Sequence, residues 1–569
     1  MLEPFCFSPF LAAMKWQSKQ KRGDKQMLFI RDLKKTYGIN EILKQTTLSM
    51  KKGECLALTG PNGCGKTTLL KCIVGESEPD SGEIFLDADT RFGYLKQRDV
   101  SYKGKVKYFL LKEFEGLQQT LIKMDAPGVA ANEYTLLMDD YIQKNGFDIE
   151  IQLLKELGQF GFEETIMETN MNILSPGQKK IMETVSIMIV RPDLFIMDEP
   201  TNHLDISMRV FLENYINRKK RQGISFLIVS HDRTFLDRVT DQTVYIKRGV
   251  SQQVKGGYSH MLETLDRRYQ SKKKESENIE KKIGKLEQLA RKKTVWSSKV
   301  EGRKYAKNRK GLKDPGKLDK GFIGSKASKL AKTAKATAVR KNRLIERLKE
   351  TKPFVEKPVK LPRNQQKIDN RIFTDVQELS FRYEPDIPLL EDITFQVSTK
   401  DRIALIGENG CGKTTFLKLL NNELRDFSGS IYRNEHVRYA YITQNIQRFF
   451  VRKRLIENFD DLNCEHSVIH AGLKSAGLKE EALIQDVKSL SRGELMKAAL
   501  VKVLLSGVEF ILMDEPTNHL DIETLEVLQE ILGNYNGGMM FISHDRRFVS
   551  QNADDIYTLE DGKLRVFHL

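Results

Sequence analysis

Short apolar runs punctuate the chain, and the sharpest of them lead directly into glycine-rich or acidic sequence. Cys55–Thr59 and Ile403–Ile406, Leu194–Met197 and Phe510–Met513, and Phe226–Val229 and Met540–Ile542 lack polar alternation. Such runs suit strands buried on both faces of a parallel sheet. Helical spacing appears elsewhere. Between about Gly104 and Leu157 the spacing of Leu117, Leu121 and Met124, then of Leu136, Leu137 and Tyr141, predicts helices split by a turn at Pro127-Gly128. From Met261 to Val295 the apolar residues Leu265, Ile279, Ile283, Leu286 and Leu289 are sparse but helically spaced, so a long, mostly solvated helix is expected. Five glycines and Pro315 in Lys299–Gly324 interrupt it, and a second helix is expected over Ser325–Glu350. The two should return as an antiparallel hairpin whose 35 to 40 residues per arm project roughly 50–60 Å.

The sequence repeats itself. Gly60-Pro-Asn-Gly-Cys-Gly-Lys-Thr-Thr68 matches Gly407-Glu-Asn-Gly-Cys-Gly-Lys-Thr-Thr415, and Met197-Asp-Glu-Pro-Thr-Asn-His-Leu-Asp205 is identical to Met513–Asp521. Ser230-His-Asp-Arg233 returns as Ser543-His-Asp-Arg546. The glycine loops lie 347 positions apart but the Asp-Glu-Pro blocks only 316, so the first half carries 31 extra residues. They fall between Gln97 and Ser175, where the helical segment at about 104–157 reads as an arm grafted onto that half. The expected organisation is an extension over 1–26, a first α/β unit over 27–260, a helical linker over 261–352 with its loop at about 299–324, and a second α/β unit over 353–569.

Strand patterning begins only at Met27. The apolar stretch Phe5–Met14 has its basic residues after it and no evident small-residue cleavage site, so 1–26 is expected to be a disordered or loosely attached extension, with Met14 or Met27 as alternative starts.

Charge sharpens this picture. The 569 residues carry a net +16, yet Arg267–Lys352 alone holds 30 Lys or Arg against 9 Asp or Glu, while the rest sums to about −5. A basic run usually marks a solvated face. Concentration of the whole excess in one hairpin, with Trp296, Tyr305 and Phe322 around its turn, instead suits phosphate contacts and base stacking on RNA. With 40% hydrophobic and 30% charged residues, wholesale disorder is excluded, and no apolar run approaches the eighteen or so residues a bilayer helix needs. The six cysteines, at 6, 55, 64, 72, 411 and 464, form no CxxC or CxxH pair, which argues against a zinc site or disulfide framework.

Each glycine loop lies between an apolar strand and a helical segment, the setting of a P-loop. One loop comprises Gly60, Pro61, Asn62, Gly63, Cys64, Gly65, Lys66, Thr67 and Thr68, the other Gly407, Glu408, Asn409, Gly410, Cys411, Gly412, Lys413, Thr414 and Thr415, and their backbone N–H groups can close around phosphates. Lys66 and Lys413 can reach the β and γ phosphates, and Thr67 and Thr414 can ligate Mg²⁺. Asp198 and Asp514, ending their strands, are candidates for the Mg²⁺ shell, and Glu199 and Glu515 for polarising the attacking water. His231 and His544 are expected to sense the γ phosphate, and Gln97 and Gln444 to contact water or metal.

In their order these blocks resemble the ATP-binding cassette superfamily across both halves. The resemblance implies a fold of two tandem P-loop cassettes, packed head to tail within a monomer. Each ATP is then enclosed by the P-loop of one half and the signature of the other, Leu490-Ser491-Arg492-Gly493-Glu494 or Leu174-Ser175-Pro176-Gly177-Gln178. Ser175, Gly177, Ser491 and Gly493 are the implied signature contacts, and Tyr37 and Tyr383 the implied adenine platforms. Pro176, Arg492 and Glu494 depart from the usual Leu-Ser-Gly-Gly-Gln, which leaves the relative rates of the two sites open.

Two fused cassettes, an arm and a basic helical hairpin are similar to the ABC-F family. This implies a cytoplasmic, ribosome-associated ATPase without a membrane subunit, its hairpin approaching transfer RNA and the peptidyl-transferase centre. Asp319–Leu330 and the long loop before it are similar to the bacterial members that protect ribosomes from lincosamides, streptogramins A and pleuromutilins. A housekeeping translation factor is the alternative. The ATPase of a transporter has no evident use for the +21 hairpin, and insertions in DNA-repair ATPases usually split one cassette instead of joining two.

Overall fold

The computed structural model describes residues 26–87, 90–98, 100–302, 320–351, 368–384, 387–462 and 464–567. The chain divides into two compact units, with boundaries between Ser259 and His260 and between Pro358 and Val359. The expected N-terminal extension lies outside the described residues except at its last position, Gln26, where the first strand begins.

Both halves of the larger unit build the same parallel sheet. In the first half the P-loop strand Cys55–Thr59 lies between Ser225–Val229 and Gln242–Lys247, and the sheet continues through Leu194–Asp198 to Phe92–Leu95. In the second, Arg402–Ile406 lies between Gly538–Ile542 and Asp555–Glu560, followed outward by Phe510–Asp514 and Tyr439–Ile442. Every residue of Cys55–Thr59, Leu194–Asp198 and Phe510–Asp514 is buried, which explains their unbroken apolar runs. Consecutive strands of this kind deliver their following loops to one sheet edge, where α/β proteins bind ligands.

An antiparallel layer of Gln26–Tyr37, Asn40–Lys51 and Ser81–Leu86 adjoins the first sheet, and Ile372–Glu384, Ile387–Ser398 and Ser428–Arg433 repeat it in the second half. In the first half one parallel pairing, Gln45 with Val250, joins the layer to the parallel strands, whereas in the second the layer is a separate three-stranded sheet.

The arm comprises helices Val106–Leu110, Glu115–Met124, Ala131–Gln143 and Gly146–Gly158. Leu117, Leu121 and Tyr141 are buried as their spacing predicts, but Leu136 is 71% exposed. Its register falls on the outer face of Ala131–Gln143, so the apolar spacing there overstated the packed stripe.

The smaller unit is helical. Its helices, Tyr258–Gly302 and Lys320–Thr351, overrun the expected loop at both ends. Lys299 through Gly302 complete the first helix and Gly321 and Gly324 sit inside the second, because isolated glycines cost a helix only about 1 kcal/mol each relative to alanine. Trp296 and Phe322 therefore belong to helices, while Tyr305 lies outside the described residues. Glu287 and Lys341 form a 2.8 Å ion pair between the two helices.

Candidate nucleotide sites

Each P-loop folds as its glycines require. At Gly60 and Gly407 φ is +145°, and a Cβ would fall 2.2 Å from the Ile246 carbonyl oxygen or 2.7 Å from that of Leu559, so no larger residue fits. The loops then turn into helices Lys66–Ile73 and Lys413–Leu420. Lys66 Nζ donates to the carbonyls of Gly60 and Pro61 at 2.8 and 3.1 Å, and Lys413 Nζ to those of Gly407 and Glu408 at 2.9 and 2.6 Å. Both ammonium groups are thus held across the mouth of the loop, where a bound anion would meet them.

The neighbouring strand supplies the acids. Thr67 Oγ1 donates to Asp198 Oδ2 at 3.2 Å and Thr414 Oγ1 to Asp514 Oδ1 at 3.1 Å. Asp198 Oδ1 is buried without a hydrogen-bond partner. A hydroxyl beside a carboxylate with a spare oxygen fits Mg²⁺, which takes few protein oxygens and leaves room for water and phosphate. Among the described residues no cluster of three or more His, Cys, Asp or Glu offers an all-protein metal cage.

Glu199 and Glu515 occupy left-handed backbone at φ 53° and 51°, a strained arrangement repeated in both halves. Burial, then the adjacent Asp198 carboxylate, pushes Glu199 up to about 8, and burial followed by Asp514 pushes Glu515 up to about 7. His231 Nε2 stands 3.2 Å from Glu199 Oε1, and His544 Nε2 3.1 Å from Glu515 Oε1. Burial, with Lys66 adding to it, depresses His231 to about 3, and burial with Arg209 depresses His544 as well. Each glutamate therefore faces a neutral imidazole.

The signature serines are helix N-caps. Ser175 caps Pro176–Met188 in a capping box with Gln178, and Ser491 caps Arg492–Ser506 with Glu494. The cap places each serine at the positive end of a helix dipole, a natural anion seat. At Gly177 a Cβ would stand 2.5 Å from the His203 carbonyl oxygen, which fixes glycine where the signature meets the Asp-Glu-Pro loop.

A cavity of about 540 Å³ brings Ser175 and Pro176 together with Asn409, Lys413, Thr414, Tyr383, Gln444, Glu515 and His544. The opposite cavity, about 520 Å³, holds Tyr37, Asn62, Lys66, Thr67, Gln97, Asp198, Glu199 and His231, joined by His519 of the second half. Ser491 and Gly493 do not line it, nor does Gly177 line the first. Tyr37 and Tyr383 sit exposed at the cavity mouths.

Contacts between the halves are nearly two-fold. Arg233 Nη2 donates to the Ile522 carbonyl at 3.0 Å and Arg546 Nη2 to the Ile206 carbonyl at 3.1 Å. His203 and His519 meet with ring centroids 5.4 Å apart. Asn62 N donates to Asp521 Oδ2 at 2.8 Å, and Asn409 Nδ2 to the His203 carbonyl at 2.7 Å. Sequence reasoning missed Arg209, Asp521 and the two loop histidines as site residues. The duplicated Asn-His-Leu-Asp block pointed at the last three, but no motif marks Arg209.

Two P-loops, each beside its own acid pair and each closed by residues of the other half, define a tandem ATP-binding cassette ATPase. Residues 43–202 and 390–518 match the family described as ABC transporter. The putative ATP-binding protein YdiF of Bacillus subtilis (strain 168) is 30% identical over 560 residues, covering 95% of this chain and 81% of that protein. ABC transporter F family member 5 of Arabidopsis thaliana is 28% identical over 94% of this chain and 75% of its own. ATP-binding protein Uup of Escherichia coli (strain K12) is 26% identical over 92% and 78%. An archaeal ribosome recycling factor, aABCE1, solved with the stalk protein aP1, shares the fold at a TM-score of 0.58 and 19% identity, covering 94% of this chain and 89% of that one.

The chain belongs to the ABC-F family, and its cassettes bind and hydrolyse ATP. No helix among the described residues is long and apolar enough to cross a membrane.

Proposed function

We propose that this protein is a ribosome-binding ATPase that uses ATP binding and hydrolysis to protect the peptidyl-transferase centre from lincosamide, streptogramin A and pleuromutilin antibiotics. The observation that carries the reading is the linker: a net +21 over Arg267–Lys352, of which +15 falls on its two paired helices, in residues 267–302 and 320–351. Such a hairpin offers rows of cations to ribosomal RNA phosphates and reaches toward transfer RNA and the drug site. Of the structural neighbours, one is described as a ribosome recycling factor and another as ribosome-bound.

In this reading the P-loop amides and Lys66 or Lys413 hold the phosphates. Thr67 with Asp198 and Thr414 with Asp514 would hold Mg²⁺, which supplies charge neutralisation at the β and γ phosphates. Glu199 and Glu515 orient the attacking water, and His231 and His544, standing 3.2 and 3.1 Å from these glutamates, sense the γ phosphate. Gln97 and Gln444 contact the water and metal shell, and Tyr37 and Tyr383 stack on adenine. ATP closes the cassettes within one monomer and thereby sets the posture of the hairpin.

A housekeeping role in translation is the second reading, favoured by relatives described only as ATP-binding proteins. Shortening Lys304–Lys317 separates the two. Under the protection reading the shortened protein still binds ribosomes with ATP but no longer raises the inhibitory concentration of a peptidyl-transferase drug. Full rescue by the shortened protein, or no rescue by the intact one, supports the housekeeping role instead.

A further inference from the structure

The near two-fold symmetry of the cassette interface breaks at two arginines, and both act on the same site. Arg209, 8% exposed, donates from Nη1 to the carbonyl of His544 in the other half at 2.9 Å and to Asp232 Oδ2 at 2.8 Å, while its Nε bonds the Leu204 carbonyl at 3.0 Å. Arg492 donates from Nη2 to the carbonyl of Glu515 at 3.2 Å, within its own cassette. The equivalent positions in the repeat hold Leu525 and Pro176, whose side chains have no donor. Neither grip can therefore exist around Glu199 and His231. By contrast, the symmetric pair Arg233 and Arg546 serves both sides alike.

The signatures point the same way. The Lys413 cavity is lined by Ser175, whose cap partner Gln178 is neutral, so the serine hydroxyl proton is free for a phosphate oxygen. Its counterpart Ser491, which does not line the Lys66 cavity, donates its hydroxyl to Glu494 Oε2 at 2.7 Å. A carboxylate at that helix N-terminus competes with an incoming phosphate for the same donors.

We propose that Arg209 and Arg492 are positioning residues that fix Glu515 and His544 through their backbone carbonyls, making the Lys413 site the fast hydrolytic site and the Lys66 site a slow one. This rests on the roles assigned to Glu199 and Glu515 above.

Single-turnover phosphate release tests the proposal. The unsubstituted protein should release phosphate in a fast and a slow phase. Glu515→Gln removes the fast phase and Glu199→Gln the slow one. In the Glu199→Gln background, Arg209→Leu and Arg492→Ala each slow the fast phase by about tenfold, with half-saturating ATP moved by less than about twofold. In the Glu515→Gln background Arg209→Leu, which lies outside the signature and the Lys66 cavity, leaves the slow phase within about twofold. Arg209→Lys and Arg492→Lys, which keep a donor, recover part of the fast phase and exclude general unfolding as the cause. If the glutamine changes act as described but Arg209→Leu slows both backgrounds alike, the positioning role is overturned. If release is monophasic and both glutamine variants lower it equally, the inequality of the sites is overturned. If neither glutamine variant alters release, the glutamate assignment itself fails, and the proposal with it.

Discussion

Asp521 offers a perturbation whose size can be worked out from two hydrogen bonds. Its Oδ1 caps helix Ile522–Gly533 by accepting from Thr524 N at 2.8 Å, and its Oδ2 accepts from Asn62 N in the opposite P-loop at 2.8 Å. Asp205 is its repeat and caps Ile206–Arg221 by accepting from Met208 N at 2.8 Å, but the second P-loop bonds the His203 carbonyl in its place. Each Asp→Ala change thus loses a cap worth about 1 kcal/mol. Only Asp521→Ala also loses a charge-assisted bond between the cassettes, about 1.5–3 kcal/mol. The difference corresponds to roughly a ten- to hundredfold shift in the ATP concentration that closes the cassettes. Fluorophores on the two cassettes, read by energy transfer in the Glu199→Gln/Glu515→Gln protein, measure that midpoint without hydrolysis.

The contact also has a pH sign. Burial alone would raise the Asp521 carboxyl, but the bonds from Asn62 and Thr524 outweigh it and hold the group below its ordinary value. A depressed carboxyl contributes stability above its unfolded pKa and loses it as pH falls through the native one. The excess closure of the unsubstituted protein over Asp521→Ala should accordingly be constant from neutral pH down to the ordinary aspartate range and vanish only below it. Equal midpoints for Asp521→Ala and Asp205→Ala, or an advantage lost already at pH 6, would refute the reasoning.

Replacing both Glu199 and Glu515 with glutamine should leave ATP binding intact and lower steady-state hydrolysis by about 10²–10⁴-fold, as measured by phosphate release; an unchanged rate contradicts their assignment. Neutralising lysines and arginines along Arg267–Lys293 and Lys326–Lys349 should weaken ribosome binding and flatten its salt dependence by about 0.7–0.9 in log–log slope for each RNA phosphate no longer neutralised, with ATPase activity of the free protein little changed. Ser491→Ala and Ser175→Ala should differ, because Ser491 already spends its hydroxyl on Glu494: the Ser175 change should raise half-saturating ATP several-fold more in equilibrium nucleotide titrations.

What the sequence made legible was local. The P-loops, the Asp-Glu-Pro turns and the Ser-His-Asp-Arg blocks each depend on a few consecutive residues following a buried strand, and duplication located each of them twice. Ser175 and Ser491 sit at helix N-caps because a capping box is a four-residue device. Arg209 was not readable, because its partner His544 lies 335 positions away and its repeat is a leucine. Helix ends were also obscured: glycine density suggested a break at Lys299 and a restart at Ser325, but scattered glycines weaken a lysine- and alanine-rich helix without ending it. Leu136 misled for a related reason, since an apolar residue on a small arm need not be turned inward.

The central claim is that ATP-closed cassettes present the basic hairpin to the ribosome. Co-sedimentation of the Glu199→Gln/Glu515→Gln protein with ribosomes, in ATP against ADP and across a salt series, tests it most directly. The account expects pelleting with ATP, little with ADP, a steep loss as salt rises, and loss of pelleting when the hairpin cations are neutralised. Failure to pellet in ATP, or pelleting indifferent to nucleotide, salt and the hairpin charges, would contradict it.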